Sequence, residues 1–143
     1  MNPDAYTYWL RSFPRVSTNS HFRYRPEYSP TCVIDGKTDG TSYWRPARRT
    51  DLWLRVSFGR EIVTEKIVIT LKLTENQQKT WTKGVLHFST GEEVPIELKC
   101  TSEPQVFTFP AKTCAWVTLT KLEEAFPLVD NGISEIEVWG VDK

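Results

Sequence analysis

The stretch Leu52-Trp53-Leu54-Arg55-Val56-Ser57-Phe58 decides the fold class. Leu52, Leu54, Val56 and Phe58 alternate with Trp53, Arg55 and Ser57, and a period of two marks a half-buried strand. Downstream, Gly59-Arg60-Glu61 reads as a turn. Glu65 to Leu73, rich in β-branched Ile67, Val68, Ile69 and Thr70, reads as a central strand. Val85 to Ser89 and Val94 to Leu98 form a hairpin across Thr90-Gly91-Glu92-Glu93. Val106 to Phe109 is a strand stopped by Pro110, then Ala115 to Leu122 and Ile133 to Val141 follow. Upstream, Arg15 to Ser20 supplies one more. About eight short strands with frequent turn signals and almost no helix define an all-β antiparallel sandwich.

The chain has 143 residues, enough for one domain with a real core, and residues 1–14 read as a lead-in. Eighteen basic and eighteen acidic residues cancel, so the basic excess of a general nucleic-acid binder is missing. No apolar run reaches the roughly 18 residues of a membrane span, and neutrality disfavours an anionic membrane surface. Residues 1–15 carry Asp4, Arg11, Arg15, Pro3 and Pro14 where a signal peptide needs an apolar run, so none is expected in this chain. An extracellular location would follow only if the chain is a domain of a secreted enzyme. Cys32, Cys100 and Cys114 are odd in number and widely spaced, which points away from a disulfide scaffold or a zinc site. A free thiol favours a reducing compartment or an anaerobic source.

The densest turn chemistry lies in Val33-Ile34-Asp35-Gly36-Lys37-Thr38-Asp39-Gly40-Thr41-Ser42-Tyr43-Trp44. Two Gly, two Asp and several hydroxyls make a tight loop. Oxygens of Asp35, Asp39, Thr41 and Ser42 with turned-in carbonyls suit a hard cation; an Asx-turn on Asp35 without metal suits the same residues. The spacing is not that of an EF-hand.

Nothing assembles into a catalytic set. His21 and His87 are the only histidines, and no nucleophile elbow, phosphate loop or His-Glu-x-x-His is present. His87 alternates with core positions and reads as surface or satisfied structure. The expectation is a protein that binds and does not catalyse.

Binding chemistry is concentrated in three loops. They hold His21, Arg23, Tyr24, Arg25 and Tyr28, then Tyr43, Trp44, Arg45, Arg48, Arg49 and Trp53, then Asn76, Gln77, Gln78 and Trp81. Flat aromatic rings cover the C–H face of a pyranose while planar polar groups satisfy its hydroxyls. From these we take His21, Arg23, Tyr24, Arg25, Tyr28, Arg45, Arg48, Asn76, Gln78 and Trp81 as candidate glycan contacts. Arg45, Arg48 and Arg49 could pair with a carboxylate or sulfate, or form a solvated face. Trp44 and Trp116 read as core.

Val33-Ile34-Asp35-Gly36 with Trp44, then Leu52 to Gly59, Glu65 to Ile69, Trp81 to Gly91, Trp116 to Leu119 and Ile133 to Gly140 together resemble discoidin-like, or galactose-binding-like, domains. That superfamily includes coagulation-factor C domains and family-32 carbohydrate-binding modules. The second half is most similar to modules appended to bacterial polysaccharide-degrading enzymes. The resemblance implies an eight-stranded jelly roll and one structural Ca2+. It implies metal ligation by Asp35 and Glu135, by the Ser42 hydroxyl, and by carbonyls of Cys32, Lys37 and Ser134. The run from Asp35 to Trp44 is longer than the commonest family spacing, which leaves Asp39, Thr41 and Ser42 as competing ligands. The implied function is a monomeric, non-catalytic carbohydrate-binding module of a larger polysaccharide-degrading enzyme. The alternative is a discoidin-like protein-interaction module.

Overall fold

In the computed structural model of the chain, the described residues are 15–19, 33–34, 43–44, 46, 51–73, 80–124 and 132–143. They form six strands: β1 (Arg15–Thr18), β2 (Leu54–Lys72), β3 (Trp81–Phe88), β4 (Glu93–Glu97), β5 (Gln105–Glu124) and β6 (Gly132–Asp142). No α-helix occurs among the described residues, and none of them forms a helix long and apolar enough to cross a membrane. Every pairing is antiparallel, in the order β1-β2-β5-β3-β4, with β6 also on β2.

Six strands replace the expected eight because two expected breaks are bulges inside continuous strands. The first is Gly59-Arg60-Glu61. Ser57 pairs with Trp116 and Ile62 with Cys114, so four β2 residues face the single residue Ala115. Gly59 takes up the kink at φ 75°, a left-handed conformation that a side chain would resist. The second is Pro110. Lys66 pairs with Thr108 and Thr64 with Lys112, which puts Pro110 in a bulge with no partner on β2. Its missing N–H therefore costs no ladder bond. The Thr90–Gly91 hairpin forms as expected, with Gly91 at φ 93° and its N–H donating to the Phe88 carbonyl at 2.9 Å.

The bulges divide the long antiparallel β2–β5 pair between two layers. One contains β6, the second half of β2 and the first half of β5. The other contains β1, the first half of β2, the second half of β5, β3 and β4. Phe88 of β3 meets Phe109 of β5 across the interior at 5.2 Å between ring centroids. Trp44, bridged to Ile133 at the end of the first layer, stacks on Trp81 of the second at 6.0 Å. Alternating Leu54, Val56 and Phe58, then Ile67, Ile69 and Leu71, fill the space between. Burial of such side chains stabilises by about 1.5–3 kcal/mol each.

Candidate functional site

Three connections start and return at one end of the sandwich. Thr18 leads away from the start of β2, opposite Leu54. Leu73 and Thr80, and Glu124 and Gly132, flank two short links that each leave one layer and enter the other. The Trp44–Trp81 stack closes the core at this end. Tyr43 packs there so closely that a Cβ on Gly132 would lie 2.8 Å from its Cδ2, and the Lys72 ammonium sits 5.6 Å from its ring centroid. Candidate contacts His21, Arg23, Tyr24, Arg25, Tyr28, Arg45, Arg48, Asn76 and Gln78 belong to these connections and lie outside the described residues.

Trp81 is the exception, and it corrects the expectation. It is 1% exposed, stacked in the core, with no face to offer a sugar. The cause is a one-residue bulge. Trp81 pairs with Glu124 and Lys83 with Glu123, so Thr82 is extra and the parity of β3 flips. A compensating extra residue on β5 lies between Glu123 and Thr120, where Lys121 takes φ 52°. A polar stretch before Trp81 in sequence gives no sign of either bulge.

Of the implied metal ligands, Cys32, Asp35, Lys37 and Ser42 lie outside the described residues, while Ser134 and Glu135 are on β6. Glu135 is 3% exposed, an unusual place for a carboxylate. Thr70 stands directly across from it on β2, equally buried, and its hydroxyl has no hydrogen-bond partner. Thr70 pairs with Glu135 and Leu71 with Ile133, which makes Ser134 the extra residue of a bulge, its backbone outside the regular ladder. A buried carboxylate, an unpartnered hydroxyl and an out-of-ladder carbonyl are an oxygen donor set that fits a hard cation. No cluster of three or more His, Cys, Asp or Glu occurs among the described residues. Cys100 is exposed and Cys114 buried, neither in a disulfide.

The outer face of the second layer carries a different arrangement. Arg55 and Ser57 of β2, with Trp53 just before it, lie on this face beside Trp116 and Thr118 of β5 and His87 of β3. The Arg55 guanidinium carbon lies 3.7 Å from the Trp116 ring centroid and 5.9 Å from that of Trp53. Arg55 Nε donates to Thr118 Oγ1 at 2.9 Å, and His87 meets the Trp116 ring edge-on at 5.7 Å. Trp116 is thus half-buried on the outside, not in the core as its sequence reading suggested. Its alternation with buried Val117 and Leu119 carried the correct signal. His87 is a surface residue, as expected.

At the bulged corner, away from the connections, a cleft of about 610 Å3 is lined by Val63, Lys66, Thr108, Phe109, Trp139 and Val141. The Lys66 ammonium lies 4.5 Å from the Trp139 ring centroid, and the Thr64 hydroxyl donates to the Trp139 carbonyl at 2.6 Å.

The same fold is found in several solved carbohydrate-binding modules. The family-32 carbohydrate-binding module of C. perfringens NanJ, solved with galactose, superposes with TM-score 0.67 over 87% of this chain and 91% of that one, at 17% identity. A Streptococcus pneumoniae fucose-binding module gives 0.70 over 97% and 94% at 18% identity. Chitosan-binding module 1 from a Paenibacillus sp. IK-5 chitosanase/glucanase gives 0.67 over 89% and 95% at 15% identity. At such identities the likeness is one of fold. No curated protein matches the chain in sequence. The chain belongs to the family described as domain of unknown function (DUF7402), which matches residues 14–139.

Proposed function

We propose that the chain is a non-catalytic carbohydrate-binding module, an accessory domain of a polysaccharide-degrading enzyme, which binds a glycan at the end of the sandwich where the three connections begin and return. The observation that carries this reading is their convergence. The segments richest in aromatic and planar polar residues all begin and end at one edge of a rigid sandwich. The fold likeness to modules solved as binders of galactose, fucose and chitosan supports it. The test is a glycan array on the folded domain, followed by Tyr24→Ala. Retention on a glycan that the variant loses without unfolding is the expected result. Silence across a broad array by a folded domain would overturn the reading.

A structural calcium belongs to the same proposal, held by Asp35, Glu135, the Ser42 hydroxyl and carbonyls of Cys32, Lys37 and Ser134. The unpartnered, buried Thr70 hydroxyl directly across from Glu135 supports it, because a buried oxygen without a hydrogen bond is a donor a hard cation can use. Calcium at 100 times its dissociation constant stabilises a one-site protein by about 2.7 kcal/mol. A chelator should therefore lower Tm, and Glu135→Gln should remove most of that response. A Tm indifferent to chelator would refute the metal. The accessory role is tested by deleting the module from its parent polypeptide and assaying degradation of insoluble glycan.

A second reading, a protein-interaction module, is favoured by one observation. Val106 and Val141 are 58% and 66% exposed on the first layer, Val141 lining the corner cleft. Pull-down with a Val106→Lys/Val141→Lys control distinguishes it.

A further inference from the structure

The Trp53–Arg55–Trp116 face of the second layer also has the construction of a binding site. Arg55 is a half-buried cation with no carboxylate partner among the described residues. Three contacts hold it rigid: the Trp116 ring beneath, the Trp53 ring to the side, and Thr118 Oγ1 on Nε. With Nε engaged, neither Nη group makes a hydrogen bond among the described residues, and neither is a buried unpartnered atom, so the fork is available to a ligand. The main chain of Trp53 is anchored beside Arg55. Its backbone N–H donates to Asn19 Oδ1 at 3.1 Å and its backbone carbonyl accepts from Thr18 Oγ1 at 2.7 Å.

We propose that this face is a second glycan site, one that takes a carboxylated pyranose, with Arg55 pairing the uronate carboxylate and the Trp53 indole lying against the sugar. The inference rests on the module reading above and adds a substrate class to it. The two Nη groups form a planar fork that matches a planar carboxylate with two parallel hydrogen bonds. Rings and hydroxyl hold that fork in place before binding, so little side-chain entropy is lost when the ligand arrives. A single fixed cation on a chain of zero net charge suits one carboxylate of an acidic glycan at a time, where nucleic acid would need an extended basic stripe. A neutral sugar would leave the fork unanswered, and a sulfate, two of whose oxygens can also meet it, is told apart from the carboxylate by direct comparison.

The experiment is a titration of the intact chain with an oligogalacturonate, the matching neutral oligogalactoside and a sulfated oligogalactoside, read by NMR at the indole N–H groups. The oligogalacturonate should move Trp53 and Trp116, and Arg55→Gln should weaken it about tenfold or more while neutral-sugar binding is unchanged. Arg55→Lys keeps the charge and loses the fork, so it should also bind more weakly. It gives the decision if Arg55→Gln does not fold. The proposal is overturned if the oligogalacturonate leaves both indoles unmoved, if Arg55→Gln and Arg55→Lys bind it as wild type does, or if the sulfated sugar binds more tightly. Neutral-sugar binding with indifference to the uronate removes this inference and leaves the loop-end module standing. Uronate binding at Arg55 with silence for every neutral glycan does the reverse.

Discussion

Two tryptophan pairs in this molecule lead opposite lives. Trp44 and Trp81 are stacked in the core with exposures of 0% and 1%, sealing the two layers at the loop end. Trp53 and Trp116 flank Arg55 on the outer face of the second layer, half-buried and joined through a cation. The same side chain serves as a structural plug in one place and a rigid platform in the other. What separates them is strand parity, and parity is set by bulges as much as by sequence. The difference teaches that a tryptophan beside polar residues is not thereby a surface tryptophan. Thr82 and Lys83 next to Trp81 are exposed, yet the ring is not.

The largest expected effect tests the plug. Trp81→Ala should destabilise by about 3–5 kcal/mol in chemical denaturation, as large aromatic deletions in packed cores do. Trp116→Ala should cost only about 1–2 kcal/mol, the scale of a partly desolvated cation–π contact. Equal losses in the two variants would break the distinction between core and platform.

Gly132→Ala comes next, because the new Cβ would lie 2.8 Å from Tyr43 Cδ2 and 3.1 Å from the Trp44 carbonyl. Overpacking of that kind costs about 1–3 kcal/mol. A shift of the Trp44 indole resonance with that of Trp53 unmoved would sharpen the comparison. Movement of both would show that the two regions are coupled.

Thr118→Val removes the acceptor of Arg55 Nε inside a nearly isosteric shape, for a loss of about 0.5–1.5 kcal/mol. The sharper readout is the Arg55 Nε–H resonance, which should lose its hydrogen-bonded shift. An unchanged resonance would mean that the rings alone orient the guanidinium.

The smallest effect belongs to the exposed hairpin. The hydrogen bond from Lys112 holds the Glu92 carboxyl below the usual carboxylate range against an opposing effect of desolvation, with the Lys112 charge and a hydrogen bond from Thr90 adding to it. A depressed folded value means the stabilisation is present above the unfolded value and lost as pH falls through the folded one. Lys112→Ala should raise the Glu92 midpoint with little change in stability, read by carboxyl NMR, since surface pairs contribute little. A large loss would put this pair in the same class as the core.

Sequence alone determined much of this protein. The alternation around Leu54, Val56 and Phe58, the β-branched run at Ile67 to Thr70 and the Thr90–Gly91 hairpin each placed a strand or turn correctly, because burial on one face of a pleat leaves a period of two in the chain. It also placed Trp53 and Arg55 opposite the core side chains of their strand. Strand number and site composition were beyond its reach. Gly59 and Pro110 look like breaks in any linear reading, but partners on β5 and β2 carry both strands through as bulges. Only pairing across the sheet brings Arg55 to Thr118 and Trp116, more than sixty residues away in sequence, and only the Thr82 bulge turns Trp81 inward. Local pattern fixes which residues want to be buried; register between distant strands decides which are.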